Sequence, residues 1–273
     1  MIVSRTPFRV SFAGGGTDLS SYYREEPGAV VSTAIDRYMY VTINRYFDES
    51  IILKYAKTER VDRVREIRHP LIRESLKLAG IERGIELTSM ADVVGGTGLG
   101  SSSSFTVGLL HALRAYRGER ATAAALARDA CAVEIERVGE PIGKQDQYIA
   151  AYGGLRFIEF NPDDTVKVSA IRCSAAKRAL LERSLLLFYT GKTRRAGSIL
   201  RGVSGAAGKK RADLRELRGL ADRARSALES GSVSDFGGLL HEGWLLKKSL
   251  HKEISNPTID EAYARCRELL DRS

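Results

Sequence analysis

Residues 92–105 read DVVGGTGLGSSSSF, a glycine-rich turn followed by four serines. Glycines let backbone N–H groups approach an anion closely, and the first turn of a helix presents unpaired N–H donors. Phe105, Leu109 and Leu113 then recur at helical spacing, which favours a buried helix over a flexible linker. The stretch predicts phosphate binding by Gly95, Gly96, Thr97, Gly98, Leu99, Gly100, Ser101, Ser102 and Ser103.

The loop matches neither of two common phosphate-binding motifs. Gly95 and Gly100 have the spacing of a Walker motif, but Ser101 stands where that motif requires lysine. Gly96, Gly98 and Gly100 are spaced G-x-G-x-G, whereas a dinucleotide fingerprint needs G-x-G-x-x-G and an acidic residue about twenty positions later. Both of these classes are therefore disfavoured.

The composition is that of an ordinary globular protein. The 273 residues are 43% apolar and 28% charged, which suits one large or two ordinary domains. Cys131, Cys173 and Cys266 lie far apart, so neither a disulfide framework nor a zinc site is predicted, and a reducing cytoplasm is. Because no apolar run has the length of a signal peptide or membrane span, we expect no export and no membrane partner.

The formal net charge of +9 raises the question of nucleic acid. Much of the basic excess lies in residues 209–225, where acids alternate with the basic residues around apolar positions. A solvated helix face explains that pattern more simply than a binding stripe. We therefore expect no nucleic-acid partner, although binding of nucleic acid stays an alternative, and a positive field also suits a substrate that carries phosphates.

The periodicity of apolar residues predicts strands first and helices later, which indicates an α+β fold. Strands are predicted at 2–12, 28–34, 38–46, 51–55, 85–90, 155–160, 166–171 and 184–189. Helices are predicted at 70–79, from 101 onward, and at 121–138, 144–151, 196–203, 209–229 and 234–251. A domain boundary is predicted between residues 1–165 and 166–273.

Three blocks of sequence together resemble the GHMP kinases, named for galactokinase, homoserine kinase, mevalonate kinase and phosphomevalonate kinase. They are TPFRVSFAGGGTD at 6–18, the glycine and serine loop at 95–104, and EIER at 134–137 with KQDQY at 144–148. The resemblance implies two lobes, one ribosomal-protein-like and N-terminal, the other ferredoxin-like and C-terminal. The third glycine-rich motif of the family is expected about where the chain ends.

The same resemblance implies an ATP-dependent phosphotransferase that uses Mg²⁺. The wording of the blocks is most similar to that of kinases acting on the anomeric (C1) hydroxyl of a sugar phosphate, D-glycero-D-manno-heptose 7-phosphate. A fucose or galactose-type acceptor is the first alternative, and a nucleotide-binding regulator without catalysis is another. Whether the chain forms a homo-oligomer is left open.

The resemblance also assigns the catalytic roles. Asp146 is expected to be the catalytic carboxylate, assisted by Arg9 and Lys144. Ser102 and Glu136 are expected to hold Mg²⁺, which prefers hard oxygen ligands. A solvated surface charge is the alternative interpretation of Glu136, and a favourable acid at a helix start is that of Asp146.

The acceptor pocket is assigned on the same basis. Asp18 is expected to bind sugar hydroxyls, and an arginine after the strand at 184–189 is expected to hold the distal phosphate, since a guanidinium binds phosphate in bidentate fashion. The predicted substrate-binding residues are Gly15, Gly16, Thr17, Asp18, Thr190 and Arg194.

Overall fold

The computed structural model describes residues 1–191, 193, 197 and 210–271. Its strands are β1 (Ile2–Ala13), β2 (Gly28–Arg45), β3 (Ile51–Lys54), β4 (Thr58–Val61), β5 (Ile85–Ala91), β6 (Leu155–Phe160) and β7 (Val166–Ala170). Its helices are α1 (Ser20–Tyr23), α2 (Pro70–Ala79), α3 (Ser101–Tyr116), α4 (Ala123–Cys131), α5 (Gln145–Tyr152), α6 (Ala175–Ser184), α7 (Arg211–Glu229), α8 (Val233–Leu250) and α9 (Pro257–Asp271). The predicted α+β class is confirmed.

The strands form one sheet in the order β4-β3-β5-β2-β6-β7, with β1 paired to β2. The long strand β2 is central because β1 covers one of its edges, while β6 and β5 share the other edge in succession. Every pair is antiparallel except β3 with β5. Since β7 pairs with β6, the sheet extends to Ala170, and the predicted division at 165 and 166 stays a prediction.

Several predicted elements differ from those observed. The two strands predicted at 28–34 and 38–46 are one strand, because β1 pairs with β2 on both sides of the intervening residues. The strand predicted at 184–189 is wrong: α6 ends at Ser184, and the apolar residues that follow are exposed and in no strand. Strand β4 and helices α1, α6 and α9 were not predicted. The helix predicted at 196–203 lies outside the described residues, apart from residue 197.

Strand β1 contributes side chains to two large apolar clusters. One packs the sheet against α2, α3 and α4 and contains Phe8. The other packs β1 and the start of β2 against α7 and α8 and contains Phe12. Burial of such side chains stabilises the fold by about 2 kcal/mol each. Arg9 thus stands on the strand between two residues that anchor it in different clusters.

Three further features concern the cysteines, the helices and the metal-binding side chains of the described residues. Cys131, Cys173 and Cys266 are free. No helix in the described part of the chain is both long enough and apolar enough to cross a membrane. The same residues contain no group of three His, Cys, Asp or Glu side chains arranged to hold a metal ion by themselves.

Helix α2 has the bounds that the sequence predicted and carries a titratable cap. Pro70 stands at its start and Gly80, with φ of +64°, follows its end. The Nδ1 atom of His69 accepts a hydrogen bond from the Ile72 N–H at 3.5 Å. The ring packs on Tyr55 and Phe105, at centroid distances of 4.9 and 5.5 Å. Burial lowers the pKa of His69 below its ordinary value of 6.5.

We therefore expect His69 to make the folded state sensitive to acid. Because the pKa of His69 is lower in the folded than in the unfolded chain, its contribution is fully present above about pH 6.5 and is lost as the pH falls below that value. His69→Asn keeps a capping oxygen but does not titrate. Thermal unfolding followed by circular dichroism should show a drop in Tm below about pH 6.5 that the variant lacks; equal pH profiles would contradict the prediction.

Candidate active site

The glycine-rich loop leads into α3 through glycines in left-handed conformations. Gly96, Gly98 and Gly100 have φ values of +81°, +79° and +76°. Gly100 caps α3 without any side-chain hydrogen bond. The N–H groups of the first turn of α3 therefore remain available to an anion. This geometry meets the requirement of the predicted phosphate site, whose ligand assignments stay predictions.

The serines at the start of α3 differ in what their hydroxyls bind. Ser102 donates to Glu134 Oε1 at 2.6 Å and Ser103 to Glu134 Oε2 at 2.7 Å. Ser104 donates to the Pro7 carbonyl at 2.8 Å, which ties α3 to β1. Ser102 is exposed, whereas Ser103 and Ser104 are buried. Only the first of these three hydroxyls thus faces both a carboxylate and the solvent.

Glu134 is the carboxylate that lies beside the phosphate loop. It is fully buried, and Gln147 Nε2 donates to its Oε2 at 2.6 Å. Burial raises the pKa of Glu134 and the charge of Asp146 adds to this, while the bonds from Ser102, Ser103 and Gln147 oppose it. The carboxylate is therefore held in one orientation at the start of α3.

This arrangement corrects the predicted partner of Ser102. The structure places Glu136 on an exposed part of the helical turn and does not bring it to Ser102. Glu134 follows the buried Ala130 by four positions, so helical geometry puts the two on one face. That spacing is the sequence signal that could have identified Glu134. The turn itself, Ala132–Arg137, is a π-helix, a wider form that is frequent at functional sites.

Asp146 and Arg9 form a bidentate ion pair near the loop. Arg9 Nε lies 2.6 Å from Asp146 Oδ1, and a terminal nitrogen lies 2.6 Å from Oδ2. The other terminal nitrogen of Arg9 donates to the Gly98 carbonyl, and the Arg9 N–H donates to the Leu99 carbonyl at 3.1 Å. An irregularity in strand register falls between Pro7 and Arg9. Arg9 thereby connects the phosphate loop to the carboxylate.

Asp18 holds the glycine turn after β1 against the start of α5. Its side chain accepts from the N–H groups of Gly16, at 3.0 Å, and Gln145, at 3.3 Å. Burial raises the pKa of Asp18, and the charge of Asp146 raises it further. A Cβ atom on Gly143 would lie 1.9 Å from Asp18 Oδ2, so this close approach requires glycine. Asp18 therefore positions the turn relative to Asp146.

Two other predicted residues make internal contacts. The Thr17 hydroxyl oxygen lies 2.8 Å from the Gly14 carbonyl oxygen and 3.0 Å from that of Ala29, and it accepts from the Ala29 N–H at 3.1 Å, so it links the turn to the start of β2. Lys144 lies 2.6 Å from Asp164 Oδ1 and 5.1 Å from the centroid of the Tyr23 ring. The prediction that Lys144 assists Asp146 is corrected, because these partners hold its ammonium group elsewhere.

The structure describes only one of the two residues predicted to hold a distal phosphate. Thr190 is exposed and lies in no helix or strand, in the segment after α6. Arg194 lies outside the described residues. Gly15 and Gly16, by contrast, are buried in the turn that Asp18 closes.

Lys247 belongs to the site and was missed by the sequence analysis. It lies on α8, and its Nζ is 3.2 Å from the position that a Cβ of Gly15 would occupy. Burial and the charge of Arg9 lower the pKa of Lys247, while Asp18 and Asp146 oppose this. The available signal was its place on the face of α8 that carries Phe236, Leu240 and Trp244.

Comparison with known proteins finds kinases that are similar to this chain. The family model for the GHMP kinases N-terminal domain matches residues 64–154. A D-glycero-alpha-D-manno-heptose 7-phosphate kinase from Campylobacter jejuni is 28% identical over 280 residues, which cover 96% of this chain and 81% of that protein. A galactokinase from Pyrococcus furiosus is 28% identical over 210 residues, covering 72% of this chain and 55% of the galactokinase.

A solved structure agrees with these relatives. A D-glycero-D-manno-heptose 1-phosphate kinase from Bacteroides thetaiotaomicron superimposes with a TM-score of 0.78 at 25% identity, over 91% of this chain and 79% of that one. The match extends well beyond the 64–154 segment, since it covers 91% of this chain. Residues 64–154 thus match the N-terminal domain of the GHMP kinases, and the similarity of nearly the whole chain to sugar-phosphate kinases supports an ATP-dependent kinase.

Proposed function

We propose that the protein transfers the γ-phosphoryl group of ATP to the anomeric (C1) hydroxyl of a sugar phosphate, D-glycero-D-manno-heptose 7-phosphate. The observation that carries the proposal is the Arg9–Asp146 pair, which lies between the phosphate loop and the glycine turn of residues 14–18. A donor phosphate at the loop and an acceptor at the turn would meet at this pair. Phosphoryl transfer depends mainly on such positioning and on charge stabilisation.

In this proposal Asp146 orients the acceptor hydroxyl and takes its proton. Arg9 binds both carboxylate oxygens, which fixes the direction in which Asp146 faces. Its contact with the Gly98 carbonyl fixes the same guanidinium relative to the donor loop. The pair thereby aligns the attacking oxygen with the phosphate that it attacks.

The residues beside the loop fit a magnesium ion. Ser102 and Glu134 present hard oxygen atoms that are 2.6 Å apart, and the exposed Ser102 faces the side where nucleotide phosphates would lie. Among the described residues, no group of three His, Cys, Asp or Glu side chains could hold a metal ion by itself. Nucleotide phosphates and water would therefore complete the coordination of the magnesium ion. We propose Ser102 and Glu134 as its protein ligands. Bound Mg²⁺ would neutralise charge on the phosphates of ATP.

The choice of acceptor in this proposal depends on the names of similar proteins. The Campylobacter protein named for heptose 7-phosphate is similar to nearly all of this chain, whereas the galactokinase is similar to a shorter part. A neutral sugar such as galactose or fucose is therefore the second candidate. The free cysteines suit the reducing cytoplasm in which we place the reaction.

A role in nucleic-acid binding is not supported by the basic helix. Arg215, Arg218 and Arg223 of α7 lie 2.6, 2.6 and 2.7 Å from carboxylate oxygens of other residues. Since their charges are paired, this helix lacks the unpaired basic stripe that nucleic-acid recognition needs.

The test is a substrate panel with ATP and Mg²⁺. Heptose 7-phosphate, galactose, fucose and mannose are compared by coupled release of ADP, and ³¹P NMR identifies the position of the new phosphate. We expect the highest kcat/KM with heptose 7-phosphate and a C1 phosphate as product. A neutral sugar as best substrate would replace the proposed acceptor, and no transfer to any of the four would refute the function.

A further inference from the structure

Lys247 is a cation of the site that has no partner among the residues that the structure describes. Arg9 is neutralised by the bidentate contact with Asp146, and Lys144 is paired with Asp164. Lys247 forms no hydrogen bond and no ion pair within 4.0 Å to any described residue. Its side chain is partly buried, and its ammonium reaches the buried Gly15. An ammonium group removed from water without a partner is costly unless an anion joins it.

The position of Lys247 indicates which anion that is. Gly15 belongs to the turn proposed to bind the acceptor, so the ammonium lies beside that turn. Its electrostatic partners are Arg9, Asp18 and Asp146, which are the charged groups of the catalytic centre. Gly15 leaves room for it, because a Cβ there would come within 3.2 Å of the Nζ.

We propose that Lys247 is a catalytic residue that stabilises the negative charge of the phosphoryl group during transfer. The proposal rests on the phosphoryl transfer proposed above but not on the identity of the acceptor. In that step the bond between the γ-phosphorus and the bridging oxygen of ADP breaks, the acceptor oxygen bonds to phosphorus, and Asp146 receives the hydroxyl proton. Lys247 donates hydrogen bonds to the oxygens of the group in transit and takes no part in the proton transfer.

The chain provides a matched control in the next residue. Lys248 has the same charge on the same helix but pairs with Asp260 at 2.6 Å, away from the catalytic groups. Lys247→Met and Lys248→Met each remove one ammonium and keep an unbranched side chain. Since Lys247 is an unpaired cation, its loss should not lower the Tm. Lys247→Gln serves as a second variant that retains polarity should the methionine variant unfold.

Two measurements test the proposal. In steady-state kinetics we expect Lys247→Met to lower kcat by about 10²-fold or more, with the KM values for ATP and acceptor within about twofold of wild type. In calorimetry, ADP with Mg²⁺ and aluminium fluoride, which mimics the planar phosphoryl group, should bind the variant at least about tenfold more weakly, while ADP alone binds equally. Lys248→Met should match wild type in both.

The results of these measurements separate failure of the role of Lys247 from failure of the proposed function. An unchanged kcat, a raised KM with kcat retained, or equal losses in Lys248→Met would overturn the catalytic role of Lys247. If the wild-type protein phosphorylates no compound in the panel, the proposed function fails instead. The calorimetric comparison of the three proteins would still decide the role of Lys247, because it needs no acceptor.

Discussion

Asp146→Asn should lower kcat by about 10³-fold or more while nucleotide binding is retained. The amide cannot take the hydroxyl proton, and it cannot accept two hydrogen bonds from Arg9 as the carboxylate does. The phosphate loop depends on backbone groups of residues 95–103, which the substitution leaves in place. Steady-state kinetics with ATP and the best acceptor would measure the loss in kcat, and calorimetry with a non-hydrolysable ATP analogue would measure the affinity.

Asp164→Asn is the matched control. Asp164, in the turn between β6 and β7, also pairs with a cation, Lys144 at 2.6 Å, rather than with Arg9. It has a φ of +73°, a conformation that asparagine tolerates well. We expect this variant to turn over within about twofold of wild type. Turnover of Asp146→Asn within tenfold of wild type would remove Asp146 from the catalytic role.

Glu134→Gln should separate metal binding from stability. We expect the Mg²⁺ concentration for half-maximal turnover to rise by about tenfold or more, because an amide oxygen is a weaker ligand than a carboxylate. The Tm should not fall at neutral pH. Because the folded-state pKa of Glu134 is raised, its ionisation opposes folding as the pH rises above the unfolded-state value, and the neutral amide removes that cost.

Glu136→Gln provides the comparison that tests the reassigned ligand. Glu136 is exposed, so its substitution should change neither the Mg²⁺ dependence nor the Tm. Turnover titrated with Mg²⁺ and thermal unfolding would be measured on both variants. A shifted Mg²⁺ dependence in Glu136→Gln, with Glu134→Gln like wild type, would restore the ligand first expected from sequence.

Elements whose ends carry local signals could be predicted from sequence. Helix α2 was predicted with its observed bounds, since Pro70 and Gly80 mark its start and end chemically. The strand predicted at 184–189 failed because its apolar run is the same whether or not a neighbouring strand is present to pair with it. The continuity of β2 was missed because it depends on pairing with β1, a contact between residues distant in sequence that the local pattern does not contain.

The candidate site shows the same division. The loop at 95–103 was predicted from its own sequence motif. The pairing of Arg9 with Asp146 was predicted from two further motifs, at 6–18 and 144–148. The choice between Glu134 and Glu136 required the orientation of a helix face. Lys247 could not be assigned from sequence because it reaches the site from α8, far along the chain from the other catalytic residues.

The position of Arg9 between Phe8 and Phe12 has a consequence for how the enzyme meets its substrates. Arg9 lies on β1 and the glycine turn follows this strand directly; β1 pairs with β2 and is anchored in an apolar cluster on either side of Arg9. Packed interiors resist small displacements. The cation beside the donor loop and the turn that faces the acceptor are therefore set at a fixed separation during folding, and little of the reorganisation that precedes transfer is left for substrate binding to perform.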